Sequence, residues 1–152
     1  MALSKFYEST IVEVRATFGF NEFDCDPTEI SNALEIDADD IRRKGEKRKL
    51  RGGREIESSF NSWCIISKST SKDINVHLRE LLDLLEGKQK LAKTEFGIRS
   101  FGVAWKGNYL YSGSGPFYEP DVVKGIASWD AQLNQDIYQI DQEENGPVSP
   151  TA

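Results

Sequence analysis

An α+β fold, with a single largely antiparallel sheet and two or three helices packed on one of its faces, is what this sequence predicts. Three observations carry that prediction. Val12, Val14, Ala16, Phe18 and Phe20 alternate with Glu13, Arg15, Thr17 and Gly19, the period of a strand buried on one side. Ile74, Leu78, Leu81, Leu82 and Leu85 recur at helical spacing, so one amphipathic helix needs a surface to cover. Strand and helix patterns then succeed each other along the chain without any repeat of fixed short period.

The opening strand runs from Val12. "DPTEISNALEI" follows as a short helix, with Asp26 as N-cap, Pro27 at the first helical position, Glu29 in the capping-box position, and Ile30, Ala33 and Leu34 as its apolar face. "RRKGEKRKLRGGR", Arg42 to Arg54, holds Gly45, Gly52 and Gly53 and almost nothing to bury, which predicts a loop or a loose hairpin. "SFNSWCIIS" restores β-propensity through Phe60, Trp63, Cys64, Ile65 and Ile66. The main helix spans about Lys72 to Glu86, with Thr70 or Ser71 to cap its start and Gly87 to end it. Ile98 to Trp105 alternates through Phe101, Val103 and Trp105 as a strand, and "GNYLYSGSGP" reads as a turn, a short strand at Tyr109 to Tyr111, then a loop. A third helix is expected from Pro120 to about Trp129 with Val122, Val123 and Ile126 inward, and a closing strand over Leu133 to Ile140 through Leu133, Ile137 and Tyr138.

A chain of 152 residues fits one domain, expected over 1–140, with a flexible acidic tail over 141–152. Its formal net charge is −6, yet Arg42 to Arg54 carries eight cations against Glu46, a local +7 that leaves −13 for the rest. From Ala16 to Ile41 there are eight acids and no Lys or Arg, so an acidic block hands over abruptly to a basic one. Such a balance argues against general nucleic-acid affinity and permits a local basic site. Cys25 and Cys64 are too few for a disulfide framework or a four-ligand zinc site, which points to a reducing compartment, the cytoplasm. The N-terminal "MALSKFYESTIVEV" lacks the apolar core of a signal peptide, and no run approaches the ~20 apolar residues of a membrane span.

The order of the opening strand, the "CDPTEI" helix start, "RRKGE", a tryptophan-bearing strand, "LRELLDLLE" and the closing "QDIY" resembles the bacterial domain-of-unknown-function family 4279, from about Val12 to Tyr138. Some members of that family look like immunity proteins paired with secreted toxins, so the resemblance implies an interaction role rather than a defined chemistry. The basic run continues past "RRKGE" through "KRKLRGGR", and the acidic tail lies outside the pattern, so any role for either is peculiar to this chain.

No catalytic constellation is apparent. His77 is the sole histidine, at the margin of the Leu-rich face between Ile74 and Leu81, where a boundary histidine without chemistry is the expectation. Cys64 with His77 would make a thiolate pair only if the strand released the thiol, and "WCIIS" favours a buried, inert one. Asp37, Asp39 and Asp40 lack the glycine and terminal glutamate of a calcium loop, and Gly107, Gly113 and Gly115 lack the Gly-Lys-Ser/Thr of a phosphate loop. No metal, cofactor or catalytic residue is expected.

What remains is a binding surface. The leading expectation is a non-enzymatic cytoplasmic protein that binds a protein partner, in the manner of an immunity or antitoxin-like protein occluding a toxin's active site. Arg42, Arg43, Lys44, Lys47 and Arg48 would steer the encounter, and Tyr109, Tyr111, Phe117 and Tyr118 would anchor it. The alternative is a nucleic-acid- or phosphate-binding regulatory module using Arg42 to Arg54, where "RGGR" resembles RNA-binding Arg-Gly segments although no aromatic interrupts the run to stack a base. A third reading is a solvated loop whose cations are balanced by the neighbouring acids. No membrane partner is expected.

Overall fold

The alternation that predicts the opening strand also decides which way the sheet faces. The computed structural model describes residues 11–107 and 115–139. In it β1 (Ile11–Asn21) turns Ala16, Phe18 and Phe20 towards the helices, all of them fully buried. Val12 breaks the expected pattern, being 44% exposed while Ile11 is buried. The cause is a register shift against the neighbouring strand between Ile11 and Glu13, a bulge that turns the first residues over.

The elements that follow are α1 (Pro27–Leu34), β2 (Asp40–Arg42), β3 (Lys47–Lys49), β4 (Glu55–Glu57), β5 (Ser62–Ile66), α2 (Ile74–Leu84), β6 (Ile98–Gly107), α3 (Pro120–Ser128) and β7 (Gln132–Gln139). Five strands form one sheet in the order β2-β5-β1-β6-β7, and β3 pairs with β4 in a separate two-stranded sheet. Every neighbouring pair in the main sheet is antiparallel except β6 and β7, which run parallel. That exception follows from α3, which lies between them in the chain and makes the crossover a parallel pair requires. The α+β architecture, largely antiparallel with helices on one face, is as expected.

Local chemistry fixes the helix starts. Asp26 accepts the Thr28 N–H at 2.9 Å and the Thr28 hydroxyl at 2.8 Å, with Pro27 at the first helical position. Glu29 closes no capping box; its carboxylate instead faces the Cys25 thiol. The α2 cap is Asp73, not Thr70 or Ser71, and its carboxylate accepts the Asn75 N–H at 3.0 Å. Gly87 lies past the helix end with φ +75, where the chain turns out of α2. At Gly97, φ +79 and the closeness of the Asn21 carbonyl leave no room for a side chain on the turn into β6.

The core sits between the sheet and the helices and is aromatic. Phe18 packs against Phe101 and Trp129 with ring centroids 4.8 and 4.9 Å apart, and Phe20 packs against Trp63 and Phe96. Ile74, Leu78, Leu81 and Leu85 bury α2 against it, and Ile30 and Leu34 bury α1. Two expected inward residues point away: Val123 on α3, half-exposed, and Tyr138 on β7, 62% exposed. Tyr138 follows the inward Ile137 directly, and adjacent strand residues must face opposite sides. Phe60 lies outside β5 and is exposed.

Candidate functional site

The basic stretch is a hairpin. Lys47 faces Glu57, Arg48 faces Ile56 and Lys49 faces Glu55 across β3 and β4. Gly52 and Gly53, at φ +92 and +84, make the turn, closed by the Leu50 N–H on the Arg54 carbonyl at 2.7 Å. Beneath it, the Gly45 N–H donates to the Ser58 carbonyl and the Lys44 N–H to Asn61 Oδ1 at 2.7 Å, while the Asn61 amide donates to the Phe23 carbonyl at 2.8 Å.

Its cations divide into two groups. Three are paired with carboxylates: Arg48 of β3 reaches Asp40 of β2 at 3.2 Å and links the hairpin to the main sheet, Arg43 of the connection reaches Asp26 at 3.4 Å, and Arg42 reaches Asp40 on its own strand at 3.2 Å. The Thr28 backbone N–H, helped by Arg43, holds the Asp26 carboxyl below the usual carboxylate range. The abrupt passage from acidic to basic sequence is therefore a clamp, with two of the upstream acids gripping three of the cations. Lys44, Lys47, Lys49, Arg51 and Arg54 form no ion pair among the described residues. Exposed Leu50, Ile56 and Phe60 accompany them.

Phe117 and Tyr118 lie elsewhere. Phe117 lines a cleft with Ile11 and Trp105, at the start of β1, whereas Arg42 is linked through Ser62 to Asn21, at its end. At about 3.3 Å per residue, the length of β1 puts roughly 30 Å between the two groups, so one compact contact does not include both. The segment holding them is fastened to α2. The buried Asn75 amide donates to the Phe117 carbonyl at 3.0 Å and accepts the Glu119 N–H at 2.8 Å, and Arg79 grips Asp121 and Glu119. Tyr118 packs against the core with its hydroxyl buried and without a hydrogen-bond partner among the described residues, and burial pushes its phenol up to about 12. Tyr109 and Tyr111 fall outside the described residues, as do Gly113 and the 141–152 tail.

His77 is not a boundary residue but a buried one, 1% exposed. Its Nε2–H donates to the Ser71 carbonyl at 2.7 Å, so Nδ1 accepts from the Ser67 hydroxyl at 2.7 Å, and Ser67 Oγ in turn accepts the Ala16 N–H at 3.0 Å. This relay ties α2 to β1. Cys64 is only partly buried and belongs to the sheet face opposite the helices; desolvation pushes its thiol up, away from thiolate chemistry. Asp39 accepts the Ile66 N–H at 2.7 Å and pairs with Lys68 at 2.6 Å, so Asp39, like Asp40, serves as a cross-link. Among the described residues no group of three His, Cys, Asp or Glu is placed to hold a metal, and no helix is long and apolar enough to cross a membrane. One cleft escaped sequence reasoning altogether: a groove of about 300 Å³ on the open sheet face, lined by Glu13, Arg15, Lys106 and Asp136.

The family described as Domain of unknown function (DUF4279) has a model that matches residues 12–140. No curated protein and no solved structure matches the chain.

Proposed function

We propose that this chain, which belongs to the DUF4279 family, is a non-enzymatic binding protein that docks an acidic protein partner through the β3–β4 hairpin. The observation that carries this reading is the division of the cations. Three are paired with carboxylates, and five form no ion pair among the described residues, beside exposed Leu50, Ile56 and Phe60. Unpaired charge on a tethered two-stranded projection steers an acidic surface, and exposed apolar groups beside it supply contact area once it arrives. An immunity protein of the bacterial cytoplasm, occluding the active site of a toxin, is the partner relationship that such a projection suits. Cys25 and Cys64 as free thiols are in keeping with a reducing compartment.

The test is a set of charge-neutral variants. Lys44, Lys47, Lys49, Arg51 and Arg54, all changed to Gln, should leave the melting curve within about 0.5 kcal/mol of wild type, as surface changes do. The same protein should no longer capture from host extract the partner that wild type captures and that cross-links to the hairpin. Equal capture by both proteins rules the hairpin out as the docking element. Recovery of RNA in place of a protein, released by salt, replaces this reading with a phosphate-binding one.

A further inference from the structure

The sheet face away from the helices carries a second site. On it the strand registers align three rows across β1, β6 and β7: Glu13, Lys106 and Tyr138; Arg15, Ala104 and Asp136; Thr17, Gly102 and Asn134. In two of these rows the middle strand carries only Ala104 or Gly102, smaller than the residues on either side, and Lys106 stands at the end. A groove therefore runs along β6, with Gly102 and Ala104 as its floor and β1 and β7 side chains as its walls. Its two contiguous parts hold about 300 and 250 Å³.

The charges in this groove are of both signs and are not paired with one another. Glu13, Arg15 and Asp136 form no ion pair or hydrogen bond through their side chains among the described residues, and Lys106 has only the Tyr138 ring, 5.8 Å from its Nζ. Arg42, Arg48 and Arg79, by contrast, are all paired with carboxylates. Neighbouring strands lie about 4.8 Å apart, so the backbones bearing Arg15 and Asp136 are separated by roughly 10 Å across Ala104. Arg15 and Asp136 thus flank Ala104 in one row, one cation and one anion, with no ion pair between them among the described residues.

We propose that this groove binds a small zwitterion, a free α-amino acid, with its carboxylate on Arg15 and its ammonium on Asp136. Such a ligand carries both charges on one carbon and can take a charge-assisted hydrogen bond of about 2.8 Å from each side of the row. Gly102 and Ala104 let the ligand backbone approach the sheet, and Tyr138 offers a ring face to the ligand side chain. A phosphate dianion would meet Glu13 and Asp136, and a divalent cation would meet Arg15 and Lys106, so neither matches the charge pattern.

Calorimetric titration of the full chain with each proteinogenic L-amino acid, up to about 10 mM to reach weak millimolar binding, tests the proposal. At least one should bind saturably, and its N-acetyl and its amide derivative should each bind at least about tenfold more weakly. Arg15→Gln and Asp136→Asn should fold normally by circular dichroism and lose affinity to a similar extent. The proposal is overturned if no amino acid binds, or if blocked ligands or either variant bind as well as the parent pair. Light scattering that finds a wild-type dimer which Arg15→Gln or Asp136→Asn dissociates also overturns it, making the face a contact between copies.

Discussion

Removing one oxygen from Tyr118 should stabilise this protein. The Tyr118 ring packs against the core while its hydroxyl is buried with no hydrogen-bond partner among the described residues. Phe keeps the ring and removes the orphaned group, whose burial costs about 1–3 kcal/mol. A gain of about 1–2 kcal/mol corresponds to a Tm rise of about 2–8 °C in a chain of this size. The effect also has a pH signature. Burial raises the phenol from its usual value near 10 up to about 12. A group raised in the folded state contributes stability that is fully present below about pH 10 and is lost as pH rises through about 12. Two units amount to at most about 2.7 kcal/mol. Phe cannot ionise, so the advantage of Tyr118→Phe over wild type should widen across that window, every other titrating group being common to both proteins. Urea melts of the two proteins at neutral and alkaline pH measure this difference directly. A variant less stable than wild type by more than about 0.5 kcal/mol, or a difference that does not change with pH, refutes the assignment of an unpartnered hydroxyl.

Leu81→Ala empties a fully buried position of α2 and should cost about 2–5 kcal/mol in denaturant melts; a loss under about 1 kcal/mol would show that α2 does not cover the sheet as described. His77→Gln can satisfy only one of its two partners and should lose about 1–3 kcal/mol, with partner binding intact, so abolished binding at unchanged stability would give His77 a functional role. Asp39 is held below the ordinary carboxylate range although burial works against ionisation, because Lys68 and the Ile66 N–H more than offset it. Its contribution is therefore present above about pH 4 and lost on acidification, and Asp39→Asn should flatten the acid limb of the stability curve; an unchanged limb would count against the pairing.

What could be read from the sequence was whatever depends on spacing along one element. The period of Ala16, Phe18 and Phe20, the Asp26-Pro27 helix start and the Leu78, Leu81, Leu85 stripe each encode their own burial, and the fold class followed from them. What depends on pairing between distant elements was hidden. The Ile11 bulge, the parallel course of β7 and the inward turn of His77 all come from which strand lies beside which. The candidate site divides in the same way. Clustered cations are visible in any reading of Arg42 to Arg54, but that Asp26 and Asp40 neutralise Arg42, Arg43 and Arg48 requires the folded chain. Grouping Phe117 and Tyr118 with those cations joined residues that lie at opposite ends of β1. The open-face groove left no motif, since its walls come from three strands distant in sequence.

If the hairpin cations that form no ion pair among the described residues guide an acidic partner to this protein, their removal must show in the encounter. Association kinetics decide it most directly, measured for the captured partner against wild type and against the protein with Lys44, Lys47, Lys49, Arg51 and Arg54 changed to Gln. Exposed charges act on the encounter and are screened by salt. Wild type should associate fastest at low salt and slow as salt rises, while the variant should associate slowly throughout, with dissociation little altered in either. Equal association rates for the two proteins at low salt would contradict the claim and reduce the hairpin to a solvated projection.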